Sequence, residues 1–169
     1  MNAEKILQEL KNDYKTAEEW LLFYNEREAQ YEADSRYILD ESPAFKNTGK
    51  STVYSNSYTE YKVVQLESLD NSEKWLTTIK LVESMLSPQK QIFLEMRRRA
   101  AQKNKTLLAN KKRRTNWILF VQQHYFATMT KKSAKNREKY WLSEKTIENW
   151  WQEIVNATRI IALKRRCVF

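Results

Sequence analysis

The sequence predicts an all-α protein, and composition supplies the main evidence. Its 169 residues include one Gly and two Pro, whereas sandwiches, barrels and doubly wound sheets need such residues at frequent turns. Hydrophobic residues make up 41% of the chain, which is enough to form a core. They recur at spacings of three and four, which is typical of amphipathic helices.

The first predicted element is an acidic amphipathic helix over residues 2–33, within an N-terminal region of residues 1–39. Ile6, Leu7, Leu10 and Tyr14 begin an apolar stripe, and Glu residues crowd the other face. Thr16 and Glu19 also fit a capping box, which would divide the stretch into two helices. We favour one helix.

Residues 40–60 are predicted to form a flexible linker. They contain Pro43, the sole Gly49 and many Ser and Thr residues. Such a composition buries too little apolar surface to offset the entropy lost on ordering. A β-hairpin around Gly49 is the less favoured alternative.

A helical region is predicted over residues 61–169. Apolar periodicity runs from Tyr61 to Leu86, either as one helix or with a new start at Asp70, which Glu73 follows at capping-box spacing. Ser87 followed by Pro88 is the strongest boundary signal in the chain, because Ser caps a helix and Pro suits its first position. A helix is therefore expected to begin at Pro88.

The stretch from Trp117 to Met129 is apolar nearly all the way round, which predicts a helix at the centre of the core. The lone His124 lies within it, and a single His in such a run is expected to be a core residue. Ser133 is a candidate cap for a short helix ending at Tyr140, and Ser143 is a candidate cap for the last helix.

The last helix is predicted to have one apolar and one polar face. At 100° per residue, Ile147, Trp151 and Ile154 share an arc with Trp150, Thr158 and Ile161. The opposite arc is polar and comprises Lys145, Glu148, Asn149, Gln152, Asn156 and Arg159. Such an arc suits a helix that reads base edges, and it equally fits an ordinary solvated face.

Charge is unevenly distributed along the chain. Residues 1–86 carry 10 basic and 16 acidic side chains, a net −6, and residues 87–169 carry 20 basic and 5 acidic, a net +15. Nine of the eighteen residues from Arg97 to Arg114 are basic and none is acidic, so we expect this stretch to open unless something negative lies against it. The excess cation favours a polyanionic partner, with a solubilising surface as the alternative.

These features predict a helix-turn-helix at about residues 133–163, whose second helix enters the major groove of DNA. The expected base-reading residues are Lys145, Thr146, Asn149 and Gln152. The expected phosphate-binding residues are Arg97, Arg98, Arg99, Lys111, Lys112, Arg113, Arg114, Lys131, Lys132, Lys135, Arg137 and Lys139. Phosphate contacts give affinity and position, whereas base contacts give specificity.

Several function classes lack the residues they need. One Cys and one His cannot complete a zinc site, and one Gly cannot build a phosphate-binding loop. We therefore expect no catalytic residue, no metal and no cofactor. A single cysteine, Cys167, excludes an intramolecular disulfide, and no signal peptide or membrane span is evident. The cytoplasm is the expected compartment.

Three segments carry a resemblance to a known family: Ser57-Tyr58-Thr59-Glu60, then Leu86-Ser87-Pro88-Gln89-Lys90, then Leu142-Ser143-Glu144-Lys145-Thr146-Ile147. In this order, after an amphipathic N-terminal helix, they resemble phage late-gene transcriptional activators of the RinA and ArpU type. The C-terminal part of that family is similar to region 4 of bacterial sigma factors.

The resemblance implies a sequence-specific activator that binds promoter DNA and contacts host RNA polymerase in the bacterial cytoplasm. The acidic first helix would then serve either polymerase contact or homo-oligomer formation. Three alternatives stay open: a DNA binder like the phage small terminase subunit, a non-specific nucleic-acid-binding protein, and a non-enzymatic protein-interaction module.

Overall fold

The computed structural model describes residues 3–40, 55–132 and 137–169. Within these ranges the chain forms six α-helices, one 3₁₀ helix and no β-strand, which confirms the all-α prediction. The helices are α1 (Ala3–Leu22), α2 (Tyr24–Asp40), α3 (Ser55–Met85), α4 (Pro88–Ala109), α5 (Trp117–Lys132), the 3₁₀ turn at Arg137–Tyr140, and α6 (Glu144–Lys164).

The predicted N-terminal helix is present as α1 and α2, which meet at Phe23. The backbone N–H of Phe23 donates to the Glu19 carbonyl at 3.0 Å, and that of Arg27 donates to the Phe23 carbonyl at 3.0 Å. The hydrogen-bond pattern of an α-helix thus continues across the junction. Helix α2 runs to Asp40, so the predicted end near residue 33 was too early.

The predicted linker was too long at both ends. Asp40 belongs to α2, and residues 55–60 form the first turns of α3. The Ser and Thr residues at 55–60 had argued for a linker, yet they lie within a single helix of 31 residues. The rest of the linker prediction, residues 41–54, lies outside the described residues, as does the hairpin considered around Gly49.

Two of the three predicted Ser caps, Ser87 and Ser143, are confirmed, and the third, Ser133, lies outside the described residues. Ser87 is extended (φ −61°, ψ 153°), and its hydroxyl accepts from the Lys90 backbone N–H at 3.4 Å, with Pro88 in the first turn of α4. Ser143 accepts from the Thr146 backbone N–H at 3.1 Å at the start of α6. By contrast, Asp70 lies inside α3 and pairs with Lys74 one turn later, so α3 is one continuous helix.

Helix α5 is not the centre of the core, and that prediction was wrong. It buries Phe120, Val121, Tyr125 and Met129 but leaves Leu119 47% exposed. Its described neighbours are α4, α6 and the 3₁₀ turn, which cover one side of it. His124 is exposed rather than buried; its Nδ1 lies 2.8 Å from the Phe120 carbonyl oxygen and its ring stacks on that of Phe120.

The core is organised around Trp75 of α3, which is fully buried. Trp20 of α1 stacks on it with ring centroids 5.4 Å apart, and Phe169 meets it edge-on at 5.0 Å. Ile147 and Trp151 of α6 belong to the same buried cluster. The N-terminal helices therefore share one hydrophobic core with α3, α4, α5 and α6.

The C-terminal residues after α6 dock on α3. Asn71 accepts from the Val168 backbone N–H at 2.8 Å, and Trp75 Nε1 donates to the Val168 carbonyl at 3.0 Å. The Val168 side chain itself is 68% exposed. The Cys167 thiol packs 3.6 Å from the Thr78 hydroxyl, and burial raises the pKa of this thiol.

Helices α4 and α6 end in the same way, with a cation in the left-handed region. Lys111 has φ 55° and Arg166 has φ 58°. After α4 the Lys112 N–H donates to the Leu107 carbonyl at 2.8 Å and the Lys111 N–H to the Leu108 carbonyl at 2.9 Å. This is the Schellman motif, whose left-handed position Gly usually occupies because it has no Cβ.

Replacing Lys111 with Gly is therefore expected to stabilise the protein by about 1 kcal/mol, the cost of left-handed backbone for a residue with a Cβ. Urea unfolding measures the change. Lys112→Gly is the matched control: it removes the same charge at a neighbouring residue whose φ is not positive, and it is expected to lower stability. Equal losses in both variants would contradict the cap assignment.

Candidate nucleic-acid interface

The predicted base-reading face lies on the outer side of α6. Lys145, Asn149 and Gln152 are exposed there, whereas Ile147 and Trp151 on the opposite side are buried. The burial pattern follows the arcs expected from the sequence, because α1, α3 and α5 pack against a single side of α6. The polar side chains are therefore available to a ligand.

Thr146 differs from the other three base-reading candidates. It is partly buried, and its hydroxyl lies 2.8 Å from the Ser143 hydroxyl, while its backbone N–H donates to the same oxygen. Its side chain is thus part of the helix cap. Thr146 stabilises the start of α6. The predicted base-reading residues that are exposed are therefore Lys145, Asn149 and Gln152.

Acidic side chains share the exposed face of α6. Glu144 and Glu148 are exposed in its first two turns, and Glu144 at the N-terminus complements the helix dipole. Glu153 pairs with Lys90 of α4 at 2.6 Å. The face therefore offers both donors and acceptors, as base edges require, and does not resemble a uniformly cationic strip.

The structure describes only the second half of the short helix expected over residues 133–140. Residues 133–136 lie outside the described residues, and the 3₁₀ turn at Arg137–Tyr140 has only four residues. The entry to α6 is fixed by α5. Gln122 donates to the Leu142 carbonyl at 2.7 Å, and the Phe126 and Trp141 rings meet edge-on at 5.4 Å.

The structure removes Arg97 from the predicted phosphate-binding set. Arg97 is only 7% exposed, and its guanidinium carbon lies 4.2 Å from the Trp117 ring centroid and 4.8 Å from that of Trp151. Its Nη2 is 3.5 Å from Glu18 Oε1, which also accepts from Trp151 Nε1 at 2.9 Å. Burial lowers the pKa of Arg97 to about 10. A cation enclosed in this way cannot meet a phosphate.

The next two arginines are also engaged within the chain. Arg98 Nε donates to the Leu21 carbonyl at 2.7 Å, and its Nη2 pairs with Glu83. Arg99 pairs with Glu95 one turn earlier on α4 but remains exposed. Of the three consecutive arginines, only Arg99 presents its charge to solvent.

The cations that remain available lie in the α4–α5 loop. Lys111, Lys112, Arg113 and Arg114 are all exposed, and none of them forms an ion pair with a residue that the structure describes. Asn104 holds the end of this loop, because it accepts from the Thr115 N–H at 2.8 Å and donates to the Thr115 carbonyl at 3.0 Å. We call residues 111–114 the cationic loop.

Two further residues predicted to bind phosphate are exposed. They are Lys131 in the last turn of α5 and Lys139 in the 3₁₀ turn. The remaining predicted phosphate ligands, Lys132, Lys135 and Arg137, have side chains outside the described residues.

Sequence reasoning missed the ion pairs between the acidic and basic halves. Lys105 of α4 pairs with Glu26 of α2, in addition to the Arg97 and Arg98 pairs with Glu18 and Glu83. Within the described residues, the chain itself therefore supplies negative groups to the cations along α4, but not to those of the cationic loop. The Glu residues on one face of the predicted N-terminal helix indicated that acidic partners were available. The sequence alone does not show that this face packs against α4.

Neither a metal-binding cluster nor a helix able to span a membrane occurs in the described part of the chain. Among those residues, no group of three or more His, Cys, Asp or Glu side chains is arranged to hold a metal ion. None of the helices described there combines the length and the apolar character that crossing a bilayer requires.

Comparisons with known proteins add no relative. No family model, no curated protein and no solved structure matches this chain. The class of protein is therefore defined by its own features: an all-α fold with an exposed polar helix face and a cationic loop.

Replacing Arg97 with Ala is expected to destabilise the protein by about 3 to 5 kcal/mol. The substitution removes the side chain that packs on the rings of Trp117 and Trp151 and leaves Glu18 without its cation. Arg99→Ala is the matched control, since it removes the same side chain two residues away at an exposed position and is expected to cost about 0.5 kcal/mol or less. Guanidinium unfolding followed by circular dichroism compares the two, and similar losses would contradict the internal role of Arg97.

Proposed function

We propose that the protein is a non-catalytic, sequence-specific binder of double-stranded DNA. In this proposal the exposed face of α6 contacts base edges, and the cationic loop contacts backbone phosphates. The observation that carries the proposal is the exposure of Lys145, Asn149 and Gln152 on a helix whose other side is buried by three neighbours. A helix held in this way presents its side chains rigidly, as reading a major groove requires.

The chemistry of the two surfaces supports a division of roles. Asn and Gln amides pair with adenine, Lys pairs with guanine, and a carboxylate such as that of Glu148 accepts from cytosine. The cationic loop contains four charges that form no ion pair within the described chain, so each can replace a counterion at a phosphate. In the helix-turn-helix proposed at about residues 133–163, α6 would then be the helix that enters the major groove.

The resemblance to phage late-gene activators extends this proposal to regulation. On that basis the protein activates late-gene transcription in the bacterial host cytoplasm and contacts the host RNA polymerase. The segments that carry the resemblance include the Ser143–Ile147 start of α6, where both the cap and the exposed face are found.

The phosphate role predicts a particular salt dependence. Arg113→Gln combined with Arg114→Gln is expected to weaken binding to all duplexes alike and to reduce the slope of log affinity against log salt by about 2. Gel-shift titrations at several salt concentrations measure this slope. The matched control is Lys74→Gln with Lys80→Gln, which removes the same charge from lysines that pair with Asp70 and Glu28 and is expected to leave the slope unchanged.

The reading role predicts a loss of discrimination. Duplexes selected by the wild-type protein from a random pool are compared with unselected duplexes. Lys145→Ala and Asn149→Ala are each expected to cost about 1 to 3 kcal/mol on selected duplexes and little on unselected ones. Lys164→Ala, an exposed lysine at the other end of α6, is the control.

Three outcomes would contradict the proposal. Equal effects of the α6 and loop variants would overturn the division of roles. Enrichment of no sequence would indicate a non-specific binder, and absence of nucleic-acid binding at moderate salt would indicate a protein-interaction module.

A further inference from the structure

The first half of α1 lies outside the core that its second half helps to form. Every residue from Ala3 to Asn12 is exposed, whereas Ala17, Trp20 and Leu21 in the second half are buried. The exposed half nevertheless carries large apolar side chains: Leu7 is 58% exposed, Leu10 is 43% exposed and Ile6 is 37% exposed. A helical segment this short is marginal in water unless it packs against something.

These apolar residues continue a stripe that the core already uses. Ala3, Leu7, Leu10, Tyr14, Ala17, Leu21 and Tyr24 follow one another at alternating spacings of four and three. This is the a/d pattern of a coiled coil, and it presents one seam to a partner helix. From Ala17 onward the seam is buried in the protein's own core, and Tyr14 packs against that core while staying partly exposed. The part from Ala3 to Tyr14 is therefore what a partner can reach.

We infer that a second copy of this chain occupies that seam, with the two α1 helices antiparallel. The crossing point lies between Leu7 and Leu10, so that Leu7 of each copy packs against Leu10 of the other. Ala3 of one copy then lies opposite Tyr14 of the other. The N-terminal end of the partner's α1 therefore lies beside Tyr14, just before the part of the seam that the core buries. A parallel partner in register would instead run on into the elements that bury Ala17 and Leu21.

The charges beside the seam select the same arrangement. With Leu7 at a and Leu10 at d, Glu4 and Lys11 occupy e positions, and e faces e in an antiparallel pair. Glu4 of each copy then lies opposite Lys11 of the other, which gives two attractive pairs. In a parallel pair the g position Asp13 would face Glu18 at e, a repulsive contact.

The interface is small, and this sets the expected affinity. Four a/d layers bury less area than the roughly 1,200 Å² below which complexes are usually weak. We therefore expect a reversible dimer that forms at micromolar or higher concentrations. The inference does not depend on DNA binding.

The first test is sedimentation equilibrium of the full chain over a concentration series. The wild type is expected to show a monomer–dimer equilibrium, and Leu10→Glu is expected to be monomeric throughout. Leu81→Glu is the matched control, because Leu81 of α3 is comparably exposed at 40% but lies off the seam. Circular dichroism verifies that each variant is folded. A monomeric wild type, or an equal effect of the two variants, would overturn the inference.

The second test establishes the helix orientation by charge reversal. Glu4→Lys alone places two lysines opposite each other at both ends of the antiparallel pair, since each new lysine faces Lys11 of the other copy. This variant is expected to weaken association about tenfold. Adding Lys11→Glu restores both attractive pairs and is expected to return the dissociation constant to near the wild-type value. Failure of the double reversal to rescue association would overturn the antiparallel arrangement.

Discussion

The helical arrangement depends on the buried guanidinium of Arg97. Glu18 of α1, Trp117 of α5 and Trp151 of α6 surround this α4 side chain, so four helices meet at one charge. A cation removed from water is tolerated only while its partners stay in place. Because its Nε has no hydrogen-bond partner among the described residues, Glu18 and the two indole rings supply the compensation. Displacement of any one of these helices would therefore affect the other three.

This constraint explains why the basic half of the chain is not a uniform nucleic-acid-binding surface. Acidic residues on α1, α2 and α3 neutralise cations along α4, whereas the cationic loop lies beyond the last of these pairs. The acidic N-terminal helices thus have a structural role, and they leave the net positive charge concentrated where α4 ends. Net charge alone would have assigned Arg97 and Arg113 the same role.

Local features were predictable from the sequence and contacts between distant segments were not. The helical class, the caps at Ser87 and Ser143 and the two faces of α6 all follow from neighbours within about one or two turns, where spacing determines geometry. The burial of Arg97 and the exposure of Leu119 depend on which helices pack together. Within the described residues, Arg137–Tyr140 form a 3₁₀ helix, and their polar, charged sequence suits a 3₁₀ helix or an α-helix equally.

The docking of the C-terminal residues on α3 fixes the place of the Val168 backbone without requiring a particular side chain there. Asn71 and Trp75 hold Val168 through its peptide groups, and its side chain faces solvent. Any residue other than proline provides the same two hydrogen bonds. In related proteins we therefore expect many different residues at position 168. Asn71, Trp75 and the aromatic ring at Phe169 are expected to be retained.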